Sequence, residues 1–268
     1  MKARRYELSD FEWSVIEPLL PNKPRGKARA DDRKVLNGIY WRLRTGSPWA
    51  DIPERYGPST TCYNRFVRWR KIGVWDRIFE AVSKAYDGDL QMLDSSSIRV
   101  HQHAANGKKG ARRKGPGTAS GDYTGTRCMG RSRGGLTTKI HALVDANGNP
   151  VALKITEGQA HDGKSATGML DALGQGQILL GDCAYDSDAL RQSTAERGAW
   201  ANVKPLPRRV NIPAFSHFLY RFRNLVERFF NKLKHFRAIA TRFEKHDANY
   251  LALIKLAAAR IWMRFMSR

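Results

Sequence analysis

Acidic residues, cysteines and long apolar runs are all scarce in this chain, and each shortage excludes something. Asp and Glu number 25 against 47 Lys and Arg, leaving a formal net charge of +22 over 268 residues. A surplus of that size, spread along the chain, points to a polyanionic partner. The three cysteines, Cys62, Cys128 and Cys183, are scattered and odd in number. They argue against a disulfide framework and a CxxC zinc centre, and they suit a reducing cytoplasm. No apolar run approaches the roughly 20 residues that span a bilayer. The most apolar C-terminal piece, LALIKLAAARIWM, is interrupted by Lys255 and Arg260 and reads as an amphipathic helix. With no spanning segment, nucleic acid is favoured over a membrane as the polyanion. The opening MKARRYELSD turns polar at once, so no secretory leader is expected.

What is present falls into two parts. Residues 1–88 read as helical. Ser9 and Glu12 form a capping-box pattern ahead of Trp13, Ile16 and Leu20. Pro21, Pro24 and Gly26 break the chain before a second helix, capped by Asp31 or Asp32, that carries Val35, Ile39, Tyr40 and Leu43. ADIPERYGPSTTCYNRFVRWRKIG then reads as a short helix, a Gly57-Pro58 turn and a helix capped by Ser59. That pattern suits either a helix-turn-helix, with Arg65, Arg68, Arg70 and Lys71 facing DNA, or a small bundle with a basic exterior.

Residues 89–268 read as α/β. DLQMLDSSSIRV suits a strand, with Asp94 either buried at a cost that pairing or a metal would offset, or facing solvent. Residues 101–135 form a basic, Gly- and Ser-rich stretch, expected to be a flexible loop. It holds His101 and His103, which have metal-ligand spacing but no second pair. TTKIHALVDANGNPVALKITEG is a hairpin about Asn147-Gly148, after which Asp162 is the expected cap of a helix through Met169, Leu170 and Leu173. QILLGD reads as a buried strand ending at Asp182, followed by a helix capped by Ser187 and a last strand at WANVK. A C-terminal helix is expected from about His246.

The stretch Tyr220–Lys234, YRFRNLVERFFNKLK, is the most informative. On one helix, Tyr220, Arg223, Glu227 and Lys234 fall within roughly 60° of one another. Phe222, Leu225, Val226, Phe229, Phe230 and Leu233 form a second stripe about 120° away. The plain reading is an amphipathic core helix with a charged outer side. The alternative is a carboxylate metal ligand flanked by phosphate-binding groups.

The spacing Tyr, two residues, Arg, three residues, Glu, six residues, Lys resembles the motif around the catalytic Glu of IS4/IS5-superfamily transposases, DDE enzymes with an RNase H-like core. YELSDFEWSVIEPLLP, LRTGSPWADIPERYGPSTTCYNRFVRWRKIGVWDRI, GRSRGGLTTKIHALVDANGNPV and AYDS are likewise similar to IS5-family wording, so the resemblance spans nearly the whole chain. It implies an RNase H-like mixed-sheet catalytic core behind a helix-turn-helix-like DNA-binding domain. It also implies Asp94, Asp182 and Glu227 as catalytic ligands for Mg²⁺ or Mn²⁺, two ions, with Tyr220, Arg223 and Lys234 on DNA. The partners implied are terminal inverted repeats, target DNA and further copies of this chain, as a homodimer or larger assembly. Two departures stand out: Cys183-Ala184 replaces the usual basic residue and Gly, and the wording of GTASGDYTGTRCM differs. An RNase H-like hydrolase would share the acids but has no need of a DNA-reading module. A non-catalytic regulator would be favoured by loss of an acid, and all three are present. Glu244 is expected to be a solvated acid of no consequence.

Overall fold

The computed structural model describes residues 6–21, 30–84, 88–106 and 127–267. The expected break at Pro24 and Gly26 and the middle of the basic stretch lie outside these residues. Helix α1 (Asp10–Ile16) opens with the reciprocal cap read from sequence: the Ser9 hydroxyl accepts from the Glu12 N–H, and the Glu12 carboxylate accepts from the Ser9 N–H. The Asp31 carboxylate caps α2 (Asp32–Thr45), which buries Val35, Ile39, Tyr40 and Leu43. Two single 3₁₀ turns, Trp49–Asp51 and Glu54–Tyr56, stand where the first helix of a helix-turn-helix was expected. Pro58 occupies the cap position of α3 (Ser59–Lys71), so Ser59 is the first helical residue and makes no cap bond. The bundle closes with α4 (Val74–Ser83).

The second part runs β1 (Leu90–Val100), α5 (Gln102–Ala105), β2 (Gly130–Ser132), β3 (Gly135–Asp145), β4 (Pro150–Glu157), α6 (Asp162–Ala166), β5 (Ile178–Gly181), α7 (Asp188–Ala195) and β6 (Trp200–Val203). It continues with α8 (His217–Tyr220), α9 (Asn224–Lys234), α10 (Arg237–Ala240), β7 (Thr241–Arg242) and α11 (Asp247–Met266). The stretch expected to be one loop over 101–135 therefore carries α5 at its start and β2 near its end. Strand β3 pairs antiparallel with β1 and β4, while β5 pairs parallel with β1 and β6. The order β4-β3-β1-β5-β6 is that of an RNase H-like sheet, with β2 added beside β3 and β7 beside β1.

Strand alternation divides the core between two faces. Met92, Ile140, Ala142, Val144 and Leu180 pack with α9, α11 and the N-terminal bundle. Leu93, Leu143 and Leu179 pack with α6, Tyr185 and α7. The first core runs unbroken from Leu8 to Met263, so packing does not divide at residue 88. Helix α11 explains why. It is not amphipathic as expected but buried on nearly every side, Arg260 included at 2 % exposure. The Arg260 guanidinium donates to the Glu12 carboxylate at 3.0 and 3.2 Å and to the Tyr6 and Glu7 carbonyls at 2.9 and 2.6 Å. Its plane also covers the Tyr40 ring at 4.5 Å. Together these contacts satisfy the donors of a charge that would otherwise be prohibitive to bury.

Glu244 overturns its expectation in the same way. It is 9 % exposed and accepts from Arg42 at 3.0 Å and from the Trp49 indole at 3.4 Å, tying the chain after β7 to α2. Glu244→Ala strands a buried guanidinium and is expected to lower unfolding free energy by about 3–5 kcal/mol. The exposed Glu80 of α4, changed to Ala, is expected to stay within about 0.5 kcal/mol of wild type. Urea unfolding of the two variants side by side checks this, and equal midpoints would remove the buried pair from the account of the fold.

Candidate active site

Strand β1 presents Asp94 on the face toward α9, and Asp182 caps the end of β5. The parallel register pairs Met92 with Leu180, so two residues on it sets Asp94 beside Asp182. Burial pushes the Asp94 carboxyl above the usual carboxylate range and the Asp182 charge adds to that rise, against the Ser95 N–H and Arg223. One Asp94 oxygen accepts from the Ser95 N–H at 2.7 Å, and the other from Arg223 at 2.9 Å. Asp182 accepts from the Ala184 N–H at 2.9 Å.

The helix that carries the remaining candidates is broken. Residues Arg221–Arg223 form a 3₁₀ turn between α8 and α9, so the expected single helix is two. The tighter turn changes the angular position of everything before it. Phe222, expected in the buried stripe, is 43 % exposed and meets Phe218 edge-on, whereas Val226, Phe229, Phe230 and Leu233 are buried as expected. The β3–β4 turn buttresses this segment: Gly148, at φ +75°, lies where an added Cβ would come within 3.2 Å of the Leu225 carbonyl. Glycine is required there twice over, by backbone angle and by space.

Arg223 is the hub of the cluster. Its guanidinium donates to Asp94 at 2.9 Å and to Glu227 at 2.6 Å, and it lies 5.8 Å from the Tyr220 ring centre. Burial alone would weaken its charge, but Asp94, Tyr220, Glu227 and Asp182 outweigh that and hold it above the usual arginine range. Burial first, and then the Asp182 charge, raise the Tyr220 phenol. Asp94, Asp182, Tyr220, Arg223 and Glu227 are thus brought together. Lys234 is exposed, seven residues or about 10 Å of helix beyond Glu227, and makes no side-chain bond among the described residues.

Among the described residues, no three carboxylate, imidazole or thiol groups yet converge on one ion position. The guanidinium of Arg223 sits between Asp94 and Glu227, a positive charge where those acids need one. The donor set nevertheless fits a hard divalent cation: all the donors are carboxylate oxygens, and the Glu227 side chain is 54 % exposed at the rim. His101 and His103 are not part of this cluster; His101 instead packs on Phe243.

The expected DNA-facing cations of α3 separate into two groups. Arg65 is turned onto Asp32 and over the Trp69 ring, and Arg70 is half-buried. Arg68 and Lys71 are exposed.

One cluster escaped the sequence reading. Asp162 does not cap α6; the His161 ring does, accepting from the Gly163 N–H at 3.2 Å. Asp162 instead accepts from the Ser95 hydroxyl and the Lys139 ammonium, both at 3.0 Å, with the His141 ring at 3.9 Å. Burial pulls His141 down to about 4, leaving it neutral, and raises the Tyr185 phenol well above its usual range with help from the charges of Asp162 and Asp94. The only hint in sequence was two adjacent residues, His161 and Asp162, each able to cap.

Comparison with known proteins identifies the family. A family model described as "Transposase DDE domain" matches residues 86–262, and one described as "Putative transposase of IS4/5 family" matches residues 8–79. A putative transposase for insertion sequence element IS6501 of Brucella ovis is 42% identical over 131 residues, 48% of this chain and 100% of that protein. A putative transposase for insertion sequence element IS402 of Burkholderia cepacia is 28% identical over 156 residues, 54% of this chain and 71% of that protein. Among solved structures, the piggyBac transposase synaptic complex with hairpin DNA superposes with a TM-score of 0.50 at 9% identity, covering 95% of this chain and 71% of that one. At that identity the likeness speaks to the fold alone, and the fold is the one derived above.

Proposed function

The chain belongs to the DDE-domain transposases of the IS4/IS5 group, and from that premise we propose that Asp94, Asp182 and Glu227 are its catalytic acids in cutting and joining the ends of an insertion sequence. The observation that carries the reading is Arg223 linking Glu227 to Asp94, while the sheet register sets Asp94 beside Asp182. A residue pair 129 positions apart in the chain thereby ties the start of α9 to the middle of β1, next to the end of β5.

DNA transposition needs in-line attack on a phosphodiester, first by water and then by a liberated 3′-hydroxyl. Asp94, Asp182 and Glu227 would hold Mg²⁺ or Mn²⁺, and two such ions when bound supply charge stabilisation to the attacking and leaving oxygens. Glu227 reaches that role by turning from Arg223 toward the aspartates. Arg223, once released, presents a two-pronged donor to a phosphate, and Lys234 adds a point charge farther along the same helix. Tyr220, with its phenol near Asp182, can donate to phosphate or stack on an unpaired base. The N-terminal bundle would bind the terminal inverted repeats, with the exposed Arg68 and Lys71 of α3 among the cations it offers. Joining two ends to one target calls for at least two copies, so a homodimer or larger assembly on DNA belongs to the proposal, acting at the bacterial nucleoid. Among the described residues no helix is long and apolar enough to cross a membrane.

The test uses the purified full chain and DNA carrying the element's ends. Cleavage is expected with Mg²⁺ or Mn²⁺ and none with a chelator. End binding is expected to fall by about 10³-fold or more between 50 and 200 mM salt, as for contact with six or more phosphates. Cleavage undiminished by chelator would overturn the metal assignment, and equal affinity for scrambled ends would overturn repeat recognition.

A further inference from the structure

The polar cluster around Asp162 lies on the far side of the sheet from Arg223, because Asp94 and Ser95 are consecutive strand residues and point to opposite faces. It touches both segments that carry the paired aspartates. On the β1 side, the Ser95 backbone N–H donates to Asp94 at 2.7 Å while the Ser95 hydroxyl donates to Asp162 at 3.0 Å. Ser95 therefore links the two carboxylates, its backbone N–H on Asp94 and its hydroxyl held by Asp162. On the β5 side, Tyr185 lies in the turn that begins at Asp182, its N–H donating to the Asp182 carbonyl at 3.1 Å. The Tyr185 ring is 1 % exposed among Leu93, Leu143 and Leu179. Its hydroxyl is buried beside the Ser95 side chain, where the charges of Asp162 and Asp94 both reach it. Lys139, on β3, fixes Asp162 from the third side at 3.0 Å and also donates to the Ala160 carbonyl at 2.8 Å, anchoring the entry to α6.

These contacts are not needed for the cap of α6, which His161 supplies, nor for the apolar core of that face. A carboxylate and an ammonium held at 20 % and 17 % exposure are a costly way to join α6 to the sheet if joining is all they do, since an apolar pair of similar size would serve as well or better. We propose that Asp162 is a positioning residue for the metal-binding acids: through Ser95 and Tyr185 it sets the separation and orientation of Asp94 and Asp182. The inference rests on the assignment of those two aspartates as metal ligands. Residues that orient metal-ligating side chains from behind typically contribute about 10–100-fold to metal affinity.

Asp162→Ala removes both acceptor functions. In the full chain it is expected to raise the Mn²⁺ concentration for half-maximal cleavage about tenfold or more and to weaken Mn²⁺ binding, measured by calorimetry on the DNA-free protein, in proportion. Affinity for end DNA should not change. Asp162→Asn keeps an acceptor for Ser95 and Lys139 and is expected to recover most of the metal affinity. Tyr185→Phe, which keeps the packing, is expected to shift metal affinity in the same direction as Asp162→Ala by a smaller factor. Wild-type Mn²⁺ affinity in Asp162→Ala, with loss confined to the melting temperature, would make Asp162 a structural brace only and overturn the proposal. So would an Asp162→Asn protein no better than Asp162→Ala. An Asp94→Asn arm separates the two failures: if it too binds Mn²⁺ like wild type, the acid assignment falls, whereas if it alone loses metal, only the role of Asp162 falls.

Discussion

Asp94→Asn and Asp182→Asn are each expected to lower strand cleavage by about a thousandfold or more, close to 4 kcal/mol of transition-state stabilisation, while end binding persists. The amide has the shape of the carboxylate but not the charge that a hard cation requires. Neither change should unfold the protein. Asp94 is a carboxylate whose ionisation the fold disfavours, through burial and the neighbouring Asp182, so neutralising it removes an unfavourable charge even as it weakens the bond to Arg223. The metal-free melting temperature of Asp94→Asn is therefore expected to lie near that of wild type. Melting curves with and without Mn²⁺ check this independently of catalysis. Wild type should gain stability from the ion by mass action, and both variants should lose most of that gain. An Asp94→Asn protein that cleaves at the wild-type rate, or that keeps the full Mn²⁺ stabilisation, would show that the ion is held elsewhere.

The parts of this arrangement that were legible beforehand are those encoded by short-range pattern. QILLG is a strand because it is a short continuous apolar run, and Asp182 therefore falls at its end. The Asn147-Gly148 hairpin, the Ser9–Glu12 cap and the cap at Ser187 follow from local chemistry and stand in the structure as read. What could not be read depends on partners far away in the chain. Arg260 appears as a polar interruption of an apolar helix until Glu12, 248 residues earlier, is folded against it. Glu244 appears solvated until Arg42, 202 residues earlier, meets it. The break at Arg221–Arg223 was illegible for a different reason: a few residues of 3₁₀ geometry do not disturb a hydrophobic period enough to be seen. That break bears on the site, because it determines which of Tyr220, Phe222 and Arg223 turn toward Asp182 and which toward solvent. Asp162 and His161 could exchange roles on sequence alone, and only the position of Ser95 opposite His141 across β1 and β3 shows why the acid turns to the sheet.

Glu227→Gln is expected to lower cleavage by about a hundredfold or more, roughly 3 kcal/mol, with no loss of folding. Glu227 is 54 % exposed on its side chain, and its one partner among the described residues is Arg223, four residues earlier. An exposed pair of that kind contributes about 0–1 kcal/mol to stability. The buried stripe of Val226, Phe229, Phe230 and Leu233 that holds α9 to the sheet is untouched. The control is Glu80→Gln, an exposed acid on α4 away from the cluster; Glu244, buried against Arg42, cannot serve. Lys234→Ala leaves the acids intact and is expected to cost cleavage only several-fold, through weaker hold on flanking phosphate. Arg223→Ala should fall between the two, because it removes a phosphate donor and also the cation that pairs Asp94 with Glu227 in the metal-free protein. Assaying all four on uncleaved and pre-cleaved ends separates first-strand hydrolysis from joining: Glu227→Gln should fail at both, and Lys234→Ala should lose ground mainly where DNA must be held. If Glu227→Gln and Glu80→Gln cleave alike, α9 is a core element that happens to carry an acid at its rim, and the catalytic reading of the whole cluster fails with it.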